Sequence, residues 1–161
     1  MVMNKFDLEK KFAELDAALG IQNKRSNSDE SYVIDLCDEV LGELALRQHT
    51  FDFLRGDPSE SCPSGKKLPV DAYYPNENIV VEYREKQHTE RVAFFDRRAT
   101  VSGVGRGEQR QIYDQRRRDI LPKYGIKLVE ISYSSFRYDS KKRIIRNKQQ
   151  DILIVKRLLL K

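Results

Sequence analysis

Asp71 and Glu82 are the residues whose types and spacing most directly suggest chemistry. Asp71 stands in LPVDAYYP and Glu82 in NIVVEYREKQH, and PNEN at 75–78 between them has the composition of a tight turn. With the turn centred between Asn76 and Glu77, a regular hairpin sets the two carboxylates directly across from each other, Cβ atoms ~5 Å apart on one face. Facing carboxylates repel, which costs stability unless a cation lies between them. Hard oxygen ligands that leave room for several waters suit Mg²⁺. Such an ion polarises a phosphate oxygen and acidifies an attacking water. The plain alternative is a solvated Asp and Glu on an edge hairpin, and spacing alone favours neither.

The elements that must position this pair are legible in outline. Residues 4–19 read as a helix with Leu8, Phe12, Leu15 and Leu19 on one stripe, ended by Gly20. A second helix is expected from about Asp29 to Leu46, capped by Ser28. Strands are expected at about 48–54, 68–74 and 79–84. GDPSESCPSGKK forms a loop between the first two, and 85–106 reads as a polar, glycine-containing loop. A third helix covers about Glu108–Tyr124, closed by Gly125; IKLVEISY (126–133) is a strand; a last helix spans about 143–159. The expected fold class is α/β, a single domain with a central mixed sheet flanked by helices. The last helix, apolar at Ile145, Ile152, Val155 and Leu159, serves the core or, as an alternative, a homodimer interface.

The net charge of +5 is unevenly spread. Residues 1–60 hold seven Lys/Arg against thirteen Asp/Glu, residues 97–118 seven arginines against two acids, and residues 137–161 nine bases against two acids. That asymmetry suggests a polyanion partner for the C-terminal half, although charge runs are often just solvated faces. No apolar run approaches the ~18 residues of a membrane helix, and MVMNKFDLEKK lacks the apolar stretch of a secretion signal. Cys37 and Cys62 make no zinc spacing with His49 and His88, and are expected as free thiols in a reducing cytoplasm.

Helix geometry adds to the candidate list. Val33, Leu36, Cys37, Val40 and Leu44 share one face of the second helix, and Glu30 lies roughly 40° from its centre, nearer than Glu39 or Glu43. Glu30 therefore turns toward the fold, or merely favours the helix N-terminus by its charge. On the third helix Arg117 falls within the stripe of Tyr113, Ile120, Leu121 and Tyr124. An inward-facing Arg needs a partner: a phosphate, an active-site carboxylate, or simply Asp114.

The order SDESYVIDLCDEV, RQHTFDFLRGD, GKKLPVDAYYPNENIVVEYREKQH, YDQRRRDILPKYGIKLVEISY resembles the PD-(D/E)XK nuclease superfamily, most of all its Vsr-like and EDxHD homing-endonuclease branch. The likeness covers roughly residues 28–133; residues 1–26 are then a helical extension and 134–161 a basic C-terminal helix. It implies a restriction-endonuclease-like fold and a Mg²⁺-dependent DNA endonuclease, with Mn²⁺ as a substitute ion, in a bacterial or phage setting. By the same resemblance Asp71 is the metal-binding strand Asp and Glu82 the second strand acid. Gln87 and His88 are the Q-H pair, with His88 as general base or water-positioning group. Asp114 and Arg117 stand for D-x-x-K with Arg for Lys, and Glu30 for the first-helix Glu by its distance of 18 from Gln48.

Departures are visible too. The Glu-x-Lys strand motif reads Glu82-Tyr83-Arg84 here, and an Arg cannot surrender its proton to act as base. Lys86 is a substitute base if the strand bulges. A catalytically degenerate DNA-binding module, and a nuclease acting on RNA or branched DNA, are therefore the alternatives. The residues expected to meet DNA are Lys66, Lys67, Arg97, Arg98, Arg106, Arg110, Arg116 and Arg118.

Overall fold

A computed structural model describes residues 5–18, 27–85 and 100–161. In chain order they form α1 (Lys5–Ala18), α2 (Asp29–Leu41), β1 (Leu46–His49), β2 (Val70–Tyr74), β3 (Ile79–Arg84), α3 (Arg106–Ile120), β4 (Lys127–Ser132) and α4 (Lys148–Leu159). The four strands make one mixed sheet in the order β1-β2-β3-β4, antiparallel except for the parallel β3–β4 pair. The α/β class and the central mixed sheet flanked by helices agree with the sequence.

Local chemistry sets the element ends. The Ser28 side chain accepts from the Ser31 N–H at 3.0 Å, and Asp29 and Glu30 occupy the first turn of α2, where the helix dipole favours acids. Gly42 stops the helix in the left-handed region at φ 63°, its N–H bonded to the Asp38 carbonyl. α2 thus ends at Leu41 rather than Leu46, and Leu44 falls outside the helix whose face it was expected to share. β1 is Leu46–His49 rather than 48–54, because the chain turns at Phe51–Leu54, where the Leu54 N–H reaches the Phe51 carbonyl. α3 starts at Arg106, not Glu108. Pro122 cannot donate to an α-helical ladder, so the last turn tightens to 3-10 over Leu121–Tyr124. α4 begins at Lys148 instead of 143, where Asn147 caps it by accepting from the Gln150 N–H.

The sheet buries two unlike faces. On one, Ala72, Tyr74, Val81, Tyr83, Val129 and Ile131 pack against Val33, Ile34 and Cys37 of α2 and Val155 and Leu159 of α4. On the other, Val80 and Leu128 meet Leu54, Leu68, Leu121 and Ile126, with Tyr113 and Ile120 of α3 alongside. The burial of Val155 and Leu159 settles α4 as a core helix, whereas Ile145 precedes it and is exposed. The loop from β1 to β2 is clamped beneath α3. A Cβ on Gly65, which sits at φ 77°, would come within 2.1 Å of the Gly56 carbonyl oxygen, so only glycine fits there. Among the described residues no helix is long and apolar enough to cross a membrane.

Candidate active site

The hairpin has the register expected of it. Ala72 pairs with Val81, Tyr73 with Val80 and Tyr74 with Ile79, which continues to Asp71 opposite Glu82. The parallel β3–β4 register then sets Glu82 beside Glu130. Because side chains alternate along a strand, Asp71, Glu82 and Glu130 form one row across three strands, with Arg84 one step further on the same face. This is the face that α3 covers. The row continues the layer that holds Val80 and Leu128, so one sheet face changes from apolar to ionic within two residues.

α3 answers the carboxylates with cations. Arg84, only 6% exposed, ion-pairs with Asp114 at 2.7 Å and with Glu130. Arg118 Nε meets both Glu130 oxygens at 3.0 and 3.1 Å. Arg117 Nε lies 3.2 Å from Glu82 Oε1, its Nη1 3.2 Å from Asp114, and its Nη2 donates to the Pro69 carbonyl at 2.9 Å. The inward Arg117 therefore finds an acid of the row and Asp114 together. Asp71 accepts the Tyr83 N–H at 2.8 Å.

Two acids of this row, Glu82 and Glu130, are shifted in opposite directions. Burial, and next the charge of Asp71, push Glu82 well above the usual carboxylate range; Arg117 and Arg84 offset this only in part. Burial also acts to raise Glu130, but hydrogen bonds from Arg118 and Arg84 outweigh it and hold Glu130 low. Glu130 is thus a satisfied anion, whereas Glu82 lacks enough positive charge. Its Oε1 is buried and has no hydrogen-bond partner.

Among the described residues no group of three or more His, Cys, Asp or Glu is arranged to hold a metal. A divalent site here would rest on two carboxylates and water, which is how Mg²⁺ is often held. The donor set fits that ion: two facing hard-oxygen ligands, one with an orphaned buried oxygen and its ionised form short of compensation.

The remaining candidates lie as follows. Glu30 sits half-buried at the start of α2, where it accepts from Gln48 Nε2 at 3.3 Å, so the two residues 18 apart in sequence do meet. Gln48 itself adopts φ 51° at the one unpaired step of the β1–β2 ladder, opposite Asp71. Glu30 also lines a cavity of about 340 Å³ with Tyr83, Glu85 and Lys141–Arg143. Glu30 thus has Tyr83 of the apolar face on one side and Gln48, opposite Asp71, on the other. Gln87, His88, Arg97 and Arg98 lie outside the described residues, as does Lys86.

Of the expected DNA contacts, Lys66 and Arg106 are exposed and Arg110 is half-buried on α3. Lys67 pairs with Asp52 at 2.5 Å. Arg116 is tied to Asp57 at 2.7 Å and to the Arg55 carbonyl, fastening the β1–β2 loop to α3, and Arg118 is spent on Glu130. Sequence reasoning overlooked Glu130 and the structural part of Arg84. An acid within the apolar alternation of IKLVEISY was the available signal.

No family model, no curated protein and no solved structure matches the chain.

Proposed function

We propose that this chain is a divalent-cation-dependent DNA endonuclease with a restriction-endonuclease-like fold. The observation that carries the reading is the Asp71–Glu82 pair: facing carboxylates on a fixed hairpin, with the Glu82 Oε1 buried and without a hydrogen-bond partner. The αβββαβα order from α2 to α4, with a mixed sheet and carboxylates on its second and third strands, supports the same assignment. Asp71 and Glu82 hold the ion, which supplies Lewis-acid polarisation of a phosphate oxygen. Arg117 adds positive charge where negative charge gathers on a bound phosphate. His88, five residues beyond Tyr83, is proposed to hold or deprotonate the attacking water, since its ordinary pKa of ~6.5 suits that task. Lys66, Arg106 and Arg110, with Arg97 and Arg98, are proposed to meet backbone phosphates. Mn²⁺ substitutes for Mg²⁺, a second copy would allow double-strand cutting, and a bacterial or phage cytoplasm is the proposed setting.

One observation favours a second reading. Arg84 occupies the place of the Glu-x-Lys lysine and is committed to Asp114 and Glu130. A chain whose strand lysine has become a structural cation could bind DNA without cutting it. Incubation of purified protein with supercoiled plasmid, with Mg²⁺, with Mn²⁺ and with EDTA, separates the two. Metal-dependent nicking is expected. Retention of plasmid in a gel shift with no nicking under any metal would establish the binding module instead, and parallel RNA and branched-DNA substrates test the nucleic-acid class.

A further inference from the structure

The environment of Arg117 carries an inference that deepens, and rests on, the two-carboxylate cation site. The guanidinium is wedged between α3 and the hairpin. Nη1 faces Asp114 and Nη2 donates to the Pro69 carbonyl, while Nε faces Glu82 Oε1 at 3.2 Å. Neither that Nε nor that Oε1 has a hydrogen-bond partner, although both are buried. The N–H is close enough for Coulomb attraction but does not point along a lone pair, and hydrogen bonds weaken steeply with misalignment. Arg117 thus offsets part of the Glu82 charge without satisfying its oxygen. By contrast, Arg118 gives Glu130 hydrogen bonds at 3.0 and 3.1 Å.

We propose that Arg117 is the built-in counter-cation of the Asp71–Glu82 pair, and that a divalent cation occupies the pair in competition with it. The Oε1 left without a hydrogen bond is the oxygen free to ligate. The two other anchors, Asp114 and the Pro69 carbonyl, hold the Arg117 guanidinium in place when its Nε contact with Glu82 is given up. Removing Arg117 should therefore strengthen cation binding, the opposite of what a residue that merely orders the site would do.

The test uses Ca²⁺ alone, without DNA, titrated calorimetrically at pH 8, where protons compete least for the carboxylates. Arg117→Gln should bind Ca²⁺ more tightly than wild type, on the order of 10-fold for a unit charge removed from beside a partly buried site. Its thermal midpoint should rise further on Ca²⁺ addition than that of the wild type. Should Arg117→Gln fail to fold, the Arg117 Nε–H resonance of the wild-type chain is followed through the same titration and should move in step with saturation. Ca²⁺ binding by Arg117→Gln but not by wild type would support the proposal in its strongest form. A dissociation constant unchanged or weakened by the substitution, or an Nε–H signal that stays in place as Ca²⁺ saturates the wild type, would overturn it and leave the carboxylate site standing. Absence of Ca²⁺ binding by wild type and variant alike would overturn both.

Discussion

The two faces of the sheet are built by opposite rules. The strands under α2 and α4 present an apolar layer, with Ala72, Tyr74, Val81 and Ile131 fully shielded from water, and the buried acids on that side, Asp38 and Asp151, come from the helices. The face under α3 begins the same way at Val80 and then becomes an ionic lattice in which Glu82, Arg84 and Asp114 are buried and Asp71, Arg117 and Glu130 half-buried. An apolar layer in that space would serve stability as well or better, because desolvating charges offsets much of their mutual attraction. The α3 face differs in carrying its charges on the strands themselves, whereas Asp38 and Asp151 reach the other face from α2 and α4. The lattice is also uneven, satisfying Glu130 and leaving Glu82 short.

Arg84 and Ile131 give the comparison its largest test. Arg84→Ala removes one of the cations at Asp114 and at Glu130, leaving Arg117 and Arg118 to them, and should cost at most ~3–5 kcal/mol, the range for a broken buried ion pair. Ile131→Ala leaves a cavity and should cost ~2–5 kcal/mol. Urea midpoints measure both. The two faces part company in a compensated variant. Arg84→Met with Asp114→Leu should recover most of the loss, since apolar replacement of a buried pair is often neutral. Failure to recover would mean that the ionic half-face is itself a stability device.

A smaller effect should appear with pH. The folded chain keeps a proton on Glu82 at pH values where an unfolded Glu, at ~4.3, has lost it. Folded protein binds more protons than unfolded across that window, so this group's contribution to stability declines as pH rises from about 4.3 toward the raised value of Glu82. Glu82→Gln removes the decline. Urea midpoints in EDTA should show wild type losing ground to Glu82→Gln as pH climbs, and parallel curves would contradict the account of Glu82.

The smallest effect belongs to the surface. Lys66→Ala should weaken DNA binding a few-fold and reduce the salt slope by about one ion, without changing the melting temperature. An unchanged slope would remove Lys66 from the path of the DNA.

How much of this was legible in the sequence follows from range. The hairpin register was readable because the turn at PNEN fixes both strands locally, and the inward side of Arg117 because helix periodicity is local as well. The end of α2 was misread because apolar spacing persists through Leu44 and Leu46, although Gly42 already marked a left-handed cap. β1 was misread because Phe51 and Phe53 alternate like strand residues. Lying outside any strand, their rings stack on each other, Phe53 stacks on Tyr124 and Phe51 meets Tyr73 edge-on. Glu130 could not be joined to Arg84 from sequence, since their meeting depends on the parallel register of two strands separated by α3. The likeness to PD-(D/E)XK enzymes supplied roles for Gln87 and His88 that only experiment can assign.

The measurement closest to the central claim compares wild type with Asp71→Asn. The substitution keeps the shape, removes one of two facing charges and should leave the melting temperature equal or slightly higher in EDTA. Both proteins are incubated with supercoiled plasmid over a Mg²⁺ series, with DNA affinity measured by gel shift at fixed salt. Asp71→Asn should fold, bind DNA as wild type does, and produce no nicked circles at any Mg²⁺ concentration at which wild type nicks. A folded Asp71→Asn protein that nicks at the wild-type rate would contradict the metal role of Asp71 and place the chemistry elsewhere.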